Sequence, residues 1–103
     1  QRRALHLAAV FACNFTNHMY ALSAHLLAEA GLPFDSMLPL IDETAAKVHV
    51  LSPSQAQTGP AIRYDENVIG KHLDALASHP EWQDLYERIS KSIHNDKLRS
   101  ETN

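Results

Sequence analysis

The first thirty residues contain neither proline nor glycine. Gly31 then stands where a left-handed residue closes a helix, and Pro33 follows where a helix cannot continue. This pattern predicts one long helix from about Arg2 to Ala30. Within it Leu5, Ala8, Ala12, Phe15, Met19, Leu22 and Leu26 recur at alternating three- and four-residue steps, an apolar seam at helical period. Val10 and Phe11 fall off that seam, so more than one face is expected to be covered. A helix of about 29 residues spans roughly 43 Å at 1.5 Å per residue. A compact chain of about this size is only about 33 Å across. A second copy is the simplest cover for the excess, so a homodimer through the first helix is expected. A bend near Asn14–Asn17 would instead let a monomer fold over itself.

Further helices are read from caps and period. Asp35 can cap a second helix, with Pro39 near its start and Leu38, Ile41, Ala45 and Val48 inward, ending near Leu51. Ser52-Pro53 reads as a cap and first-position proline for a very short helix, broken by Thr58-Gly59-Pro60. Asp65 caps the next, with Val68, Ile69, His72, Leu73 and Leu76 periodic after it. Gly70 inside that helix costs about 1 kcal/mol relative to alanine unless close packing offsets it. His79-Pro80-Glu81 opens the last helix, which buries Trp82, Leu85, Tyr86, Ile89 and Ile93 and is expected to fray after Asn95. No β-alternation or internal repeat is present. The expected fold is all-α, one domain over residues 1–103, with a long first helix followed by three to four shorter ones.

Charge and cysteine content narrow the function classes. A net charge of −3 and a pI near 6.1 leave no basic footprint for nucleic acid or an anionic membrane. No apolar run approaches the roughly 20 residues a membrane span needs. The single cysteine, Cys13, excludes an intrachain disulfide and fits the cytoplasm. In a helix interior it reads as an inert small hydrophobe. Seven histidines raise the question of a metal. His18 and His25, like His72 and His79, lie seven residues apart, about 10 Å along a helix axis, and there is no HExxH or Cys/His cluster. No metal centre is expected. The first residue is not methionine and the helical pattern is already under way there, so upstream sequence is expected too.

Two places could carry chemistry. On a wheel at about 100° per residue, His6, Val10, Cys13, Asn14 and Asn17 share an arc of about 100° opposite part of the seam. A solvated face would use Glu, Lys and Gln, which favour helix more than asparagine does. Asparagine offers both a donor and an acceptor, which suits fixing a ligand's orientation. The plain alternative is that this strip is simply the solvated side. The second place is Thr58-Gly59-Pro60-Ala61-Ile62-Arg63-Tyr64-Asp65. Gly-Pro makes a rigid turn, and Arg63 presents a planar fork to a carboxylate or phosphate. A tight connector with Arg63 paired to Asp65 or to solvent is the alternative there.

The string from His6 through Asn14 to Phe15, then Leu38-Pro39-Leu40, then Thr58-Gly59-Pro60 followed by Arg63 and Asp65, resembles a known domain. It is similar to the helical C-terminal domain, catalogued as a domain of unknown function, of bacterial Rossmann-type NAD(P) oxidoreductases. These resemble in plan pyrroline-carboxylate reductase, ketopantoate reductase and 6-phosphogluconate dehydrogenase. The resemblance spans about Leu5 to Ile93. It implies a fold like the C-terminal domain of 6-phosphogluconate dehydrogenase, which dimerises and closes a substrate cleft against an N-terminal domain that binds NAD(P). Relatives place a lysine and asparagines at four-residue spacing on the first helix, facing the nicotinamide. Here His6, Val10 and Asn14 hold that register, with no lysine.

The resemblance therefore assigns His6 as a general acid and Asn14 as its catalytic companion. Asn17, Thr58, Gly59 and Arg63 become candidates for binding a small-molecule substrate. A histidine serves near neutral pH because its ordinary pKa is about 6.5. The phosphate-binding GxGxxG loop is absent from this chain, so the cofactor's main binding surface is expected in the upstream domain. The competing reading is a non-enzymatic helical dimerisation or adaptor module.

Overall fold

The computed structural model describes residues 1–102, with side chains through Glu101. All its regular elements are helical: α1 (Arg2–Ala9), a π-helical turn (Val10–Phe15), α2 (Thr16–Glu29), a 3-10 turn (Phe34–Met37), α3 (Leu38–Lys47), α4 (Pro53–Ala56), α5 (Glu66–Ala75) and α6 (Pro80–Thr102). The expected long first helix is present, running through α1, the π turn and α2. The chain divides into two compact units, Gln1–Ala45 and Ala46–Asn103.

In the first unit, α2 ends where the sequence predicts. Gly31 takes φ +73°, Leu32 N–H donates to Leu27 C=O at 2.9 Å and Gly31 N–H to Ala28 C=O at 3.0 Å. That double closure needs a left-handed residue, which glycine supplies without a Cβ clash. Asp35 does not cap a helix. It lies inside the 3-10 turn, and Pro33 occupies the extended position before it. α3 therefore begins only at Leu38, with Pro39 in the first turn, where no backbone donor is needed. It ends at Lys47, and looser turns carry the chain to Leu51. α2 meets this segment through Thr16, Tyr20 and Ser23, opposite Met37, Leu40 and Ile41 across a shallow groove of about 200 Å³. No residue of the first unit is buried.

The second unit holds the chain's small core: Ala61, Ile69, Leu76 and the hydroxyl-bearing Ser90. Ser52 caps α4 with a reciprocal box. Its hydroxyl accepts from Gln55 N–H at 3.3 Å, and the Gln55 side chain accepts from Ser52 N–H at 3.4 Å. Asp65 caps α5, accepting from Val68 N–H at 3.3 Å. α5 and α6 are joined by Gln83, which donates to Leu73 C=O at 2.7 Å, and by the 2.7 Å contact between His72 Nδ1 and the Tyr86 hydroxyl. Burial pushes the Tyr86 phenol up from its ordinary pKa.

α6 does not fray after Asn95. Asp96 accepts from the Ser54 hydroxyl at 2.7 Å, tying α4 to α6, while Lys97 pairs with Glu101 at 3.8 Å within the last turns. A tertiary anchor and helical ion pairing thus outweigh the polar composition that predicted fraying.

No close packing offsets Gly70: a Cβ built there has no atom within 4 Å. Gly70→Ala is therefore expected to stabilise the protein by about 1 kcal/mol, because only glycine's helix penalty is removed. Thermal unfolding followed by circular dichroism should show a midpoint several degrees higher, and a lower midpoint would contradict this packing.

Candidate functional site

The first helix is not a uniform α-helix, and that changes which of its residues share a face. An α turn advances each residue by about 100°. A π turn closes one residue later, so each of its residues advances by only about 80°. Across Val10–Phe15 the chain falls behind an unbroken helix by roughly 90°. Two contacts mark this wider turn. Thr16 Oγ1 donates to Phe11 C=O, five residues back, at 3.2 Å. The Phe11 and Phe15 rings meet edge to face with centroids 5.0 Å apart.

The single arc expected for His6, Val10, Cys13, Asn14 and Asn17 is accordingly broken. His6 and Asn14, about 80° apart on an unbroken helix, come within about 10° of one line, two turns apart. Asn17, expected about 20° from His6, is carried to roughly 70° from it, and Cys13 moves off by a similar angle. His6, Asn14 and Asn17 are all exposed. Cys13 is exposed as well, so it is not the buried hydrophobe its apolar neighbours suggest.

The apolar seam is split by the same shift. Leu5, Ala8 and Ala12 continue in register into Thr16, Tyr20 and Ser23, the residues that line the groove against α3. Phe15, Met19, Leu22 and Leu26 align instead with Leu7 and Phe11. The result is one stripe from Leu7 to Leu26 on which Leu7 is 59% exposed, Phe11 62%, Phe15 51% and Leu26 42%. Soluble monomers rarely expose so long a run of large apolar side chains. His6 and Asn14 flank this stripe.

The second candidate place lies in the unit Ala46–Asn103. Gly59 takes φ +104°, a conformation L side chains rarely adopt. Pro60–Arg63 then form one turn closed by Asp65 N–H to Pro60 C=O at 2.9 Å and Tyr64 N–H to Ala61 C=O at 3.1 Å. Tyr64 fills the left-handed position of that closure at φ +50°, where glycine would be the usual occupant. The ring of His94 holds it, with centroids 5.6 Å apart, and His94 Nδ1 contacts Ile62 C=O at 3.1 Å. A polar cavity of about 470 Å³ adjoins the turn, lined by Ser54, Gln57, Ile62, Ser92, Asp96 and Arg99 among others. Thr58, Gly59 and Arg63 do not line it. Gln57, which donates to Thr58 C=O at 3.0 Å, and Ile62 line it instead. The sequence gives no hint of this cavity, because it is assembled from α4, the turn and the end of α6.

No group of three metal-ligating side chains occurs among the described residues, and no helix there is long and apolar enough to cross a membrane.

The Tyr64 geometry yields a test. Replacing it by alanine loses the ring contact but keeps the left-handed backbone, which costs about 1–2 kcal/mol for a residue with a Cβ. Tyr64→Gly should therefore be about 1 kcal/mol more stable than Tyr64→Ala, the reverse of their usual order. Urea unfolding of the two variants measures the difference.

Comparison with known proteins places this architecture. A family model described as a domain of unknown function, DUF2520, matches residues 1–93. The crystal structure of a protein named "putative NADP oxidoreductase", from Bacteroides fragilis, is similar at 72% sequence identity and a TM-score of 0.91 over 92% of this chain. The chain spans 37% of that protein's length. None of the curated proteins matches it. With nine-tenths of its length matched by the family model, the chain belongs to the DUF2520 family.

Proposed function

We propose that this chain is the substrate-binding and dimerisation domain of an NADP-dependent oxidoreductase. The observation that carries the reading is the likeness, at 72% identity, to a protein named for NADP-dependent redox chemistry, of which this chain spans only 37%. The rest of such a protein has room for the N-terminal Rossmann domain that would hold the dinucleotide. This chain has no GxGxxG loop to cradle a pyrophosphate, so its fit is to the reacting end of the cofactor and the substrate.

Bound NADPH would supply a hydride to an electrophilic carbon of the substrate. The electron pair released onto the attached oxygen or nitrogen then needs a proton, and His6 is the residue assigned here to donate it as a general acid. Asn14, in line with His6, has both a donor and an acceptor with which to orient the substrate. Asn17 sits on the adjoining face and serves the rim of the site. Thr58, Gly59 and Arg63 form an exposed turn whose guanidinium would engage an anionic group of the substrate. On this reading the protein resides in the cytoplasm, where the exposed Cys13 stays a free thiol.

A second copy of the chain is the occupant proposed for the Leu7–Phe11–Phe15–Leu26 stripe. From Leu7 to Leu26 it runs for nearly 30 Å at 1.5 Å per residue. This is long enough for two copies to bury their stripes against each other, and a self-complementary surface closes as a symmetric pair.

In the intact protein His6→Ala is expected to lower NADPH-dependent turnover by about 100-fold or more, the usual worth of a general acid, with the dimer preserved. Asn14→Ala should lower it to a smaller degree. Unchanged kinetics in both would remove their catalytic assignment, and failure of the intact protein to bind NADPH would favour the adaptor reading. Phe11→Glu should convert the dimer to monomer by light scattering, because a charge at the centre of an apolar interface is left unpaired. A wild-type protein that scatters as a monomer at micromolar concentration would refute the dimer.

A further inference from the structure

We infer that the π turn is the device that builds this site, and that Thr16 is the positioning residue that holds it. The inference rests on the functional reading above for what the site binds, but its geometry is independent of that reading. A π turn is less favourable than the α turn it replaces and persists where something fixes it. Here the Thr16 hydroxyl donates to the carbonyl of Phe11 five residues back, and the Phe11–Phe15 edge contact closes over the same turn. Thr44 provides the contrast in the same unit. Its hydroxyl donates to Leu40 C=O at 2.8 Å, four residues back, in an ordinary α turn that moves no register.

Two consequences follow from one wide turn. Asn14 is brought into line with His6, whereas an unbroken helix would hold them about 80° apart. Leu7 and Phe11 are rotated into register with Phe15 and Leu26, so the polar line gains an unbroken apolar border. Closing the turn to α geometry would undo both at once. Thr16 touches neither partner of the proposed proton transfer. It acts through the backbone that carries Asn14.

The test uses the intact protein and NADPH as the probe, read by nicotinamide fluorescence, which needs no identified substrate. Thr16→Val removes the hydroxyl at constant shape and is expected to weaken NADPH binding about five- to tenfold, the same loss expected of Asn14→Ala. Thr16→Ser should restore wild-type binding, and Thr44→Val should leave it unchanged. Deleting Ala12 removes the extra residue of the wide turn and leaves His6 and Asn14 seven residues apart, within about 20° of one line on an unbroken helix. Alone or combined with Thr16→Val it should keep near-wild-type binding with full helix content by circular dichroism, so the test stands even if Thr16→Val alone folds poorly. Unchanged binding in Thr16→Val, or lost binding in the deletion, alongside weakened binding in Asn14→Ala, would overturn this inference and leave the functional reading intact. Equal losses in Thr16→Val and Thr44→Val would assign Thr16 a purely structural role and overturn it too. If His6→Ala and Asn14→Ala both bind NADPH like the wild type, the functional reading fails and this inference with it.

Discussion

The hydrogen bond from the Thr16 hydroxyl to the Phe11 carbonyl, and the wide turn it spans, set the side-chain register of the whole first helix. A helix presents its faces by counting residues, and one late-closing turn changes the count for everything beyond it. Before the turn Leu5, Ala8 and Ala12 form one line. After it that line runs on into the hydroxyl-bearing Thr16, Tyr20 and Ser23 against α3. The larger apolar side chains are left to a separate, exposed stripe.

That division explains an otherwise awkward burial pattern. Among the described residues, Ala61, Ile69 and Leu76 alone form a buried apolar core, all in the second unit, while thirteen large hydrophobic side chains are exposed. At roughly 25 cal/mol per Å² of apolar surface, leaving so much area in water forfeits several kcal/mol relative to burying it. In the first unit the groove residues pack internally, while the stripe stays exposed.

Much of this was legible in the sequence, and the rest was hidden for identifiable reasons. Gly31, Ser52-Pro53 and Asp65 marked their helix boundaries because caps act locally and leave a local signature. The π turn left none: Val10–Phe15 reads as ordinary apolar helix, and the side chain that marks it lies one residue beyond. Hence the predicted seam joined residues that occupy different faces, and the predicted polar arc held Asn17 beside His6. Tyr64 likewise defied the expectation that a left-handed position calls for glycine. Its conformation is fixed by a ring contact with His94, thirty residues away in sequence. The second cavity was invisible for the same reason, since Ser54 and Asp96 meet only after folding.

The central claim is that one wide turn aligns His6 with Asn14 beside a surface that another copy covers, and that this line faces the reacting end of a dinucleotide. A crystal structure of the intact protein with NADP bound would test it most directly. The account predicts the nicotinamide ring lying against the His6–Asn14 line, with the Leu7–Phe11–Phe15–Leu26 stripe buried on a second copy. A nicotinamide ring remote from both residues, with that stripe open to solvent, would contradict it.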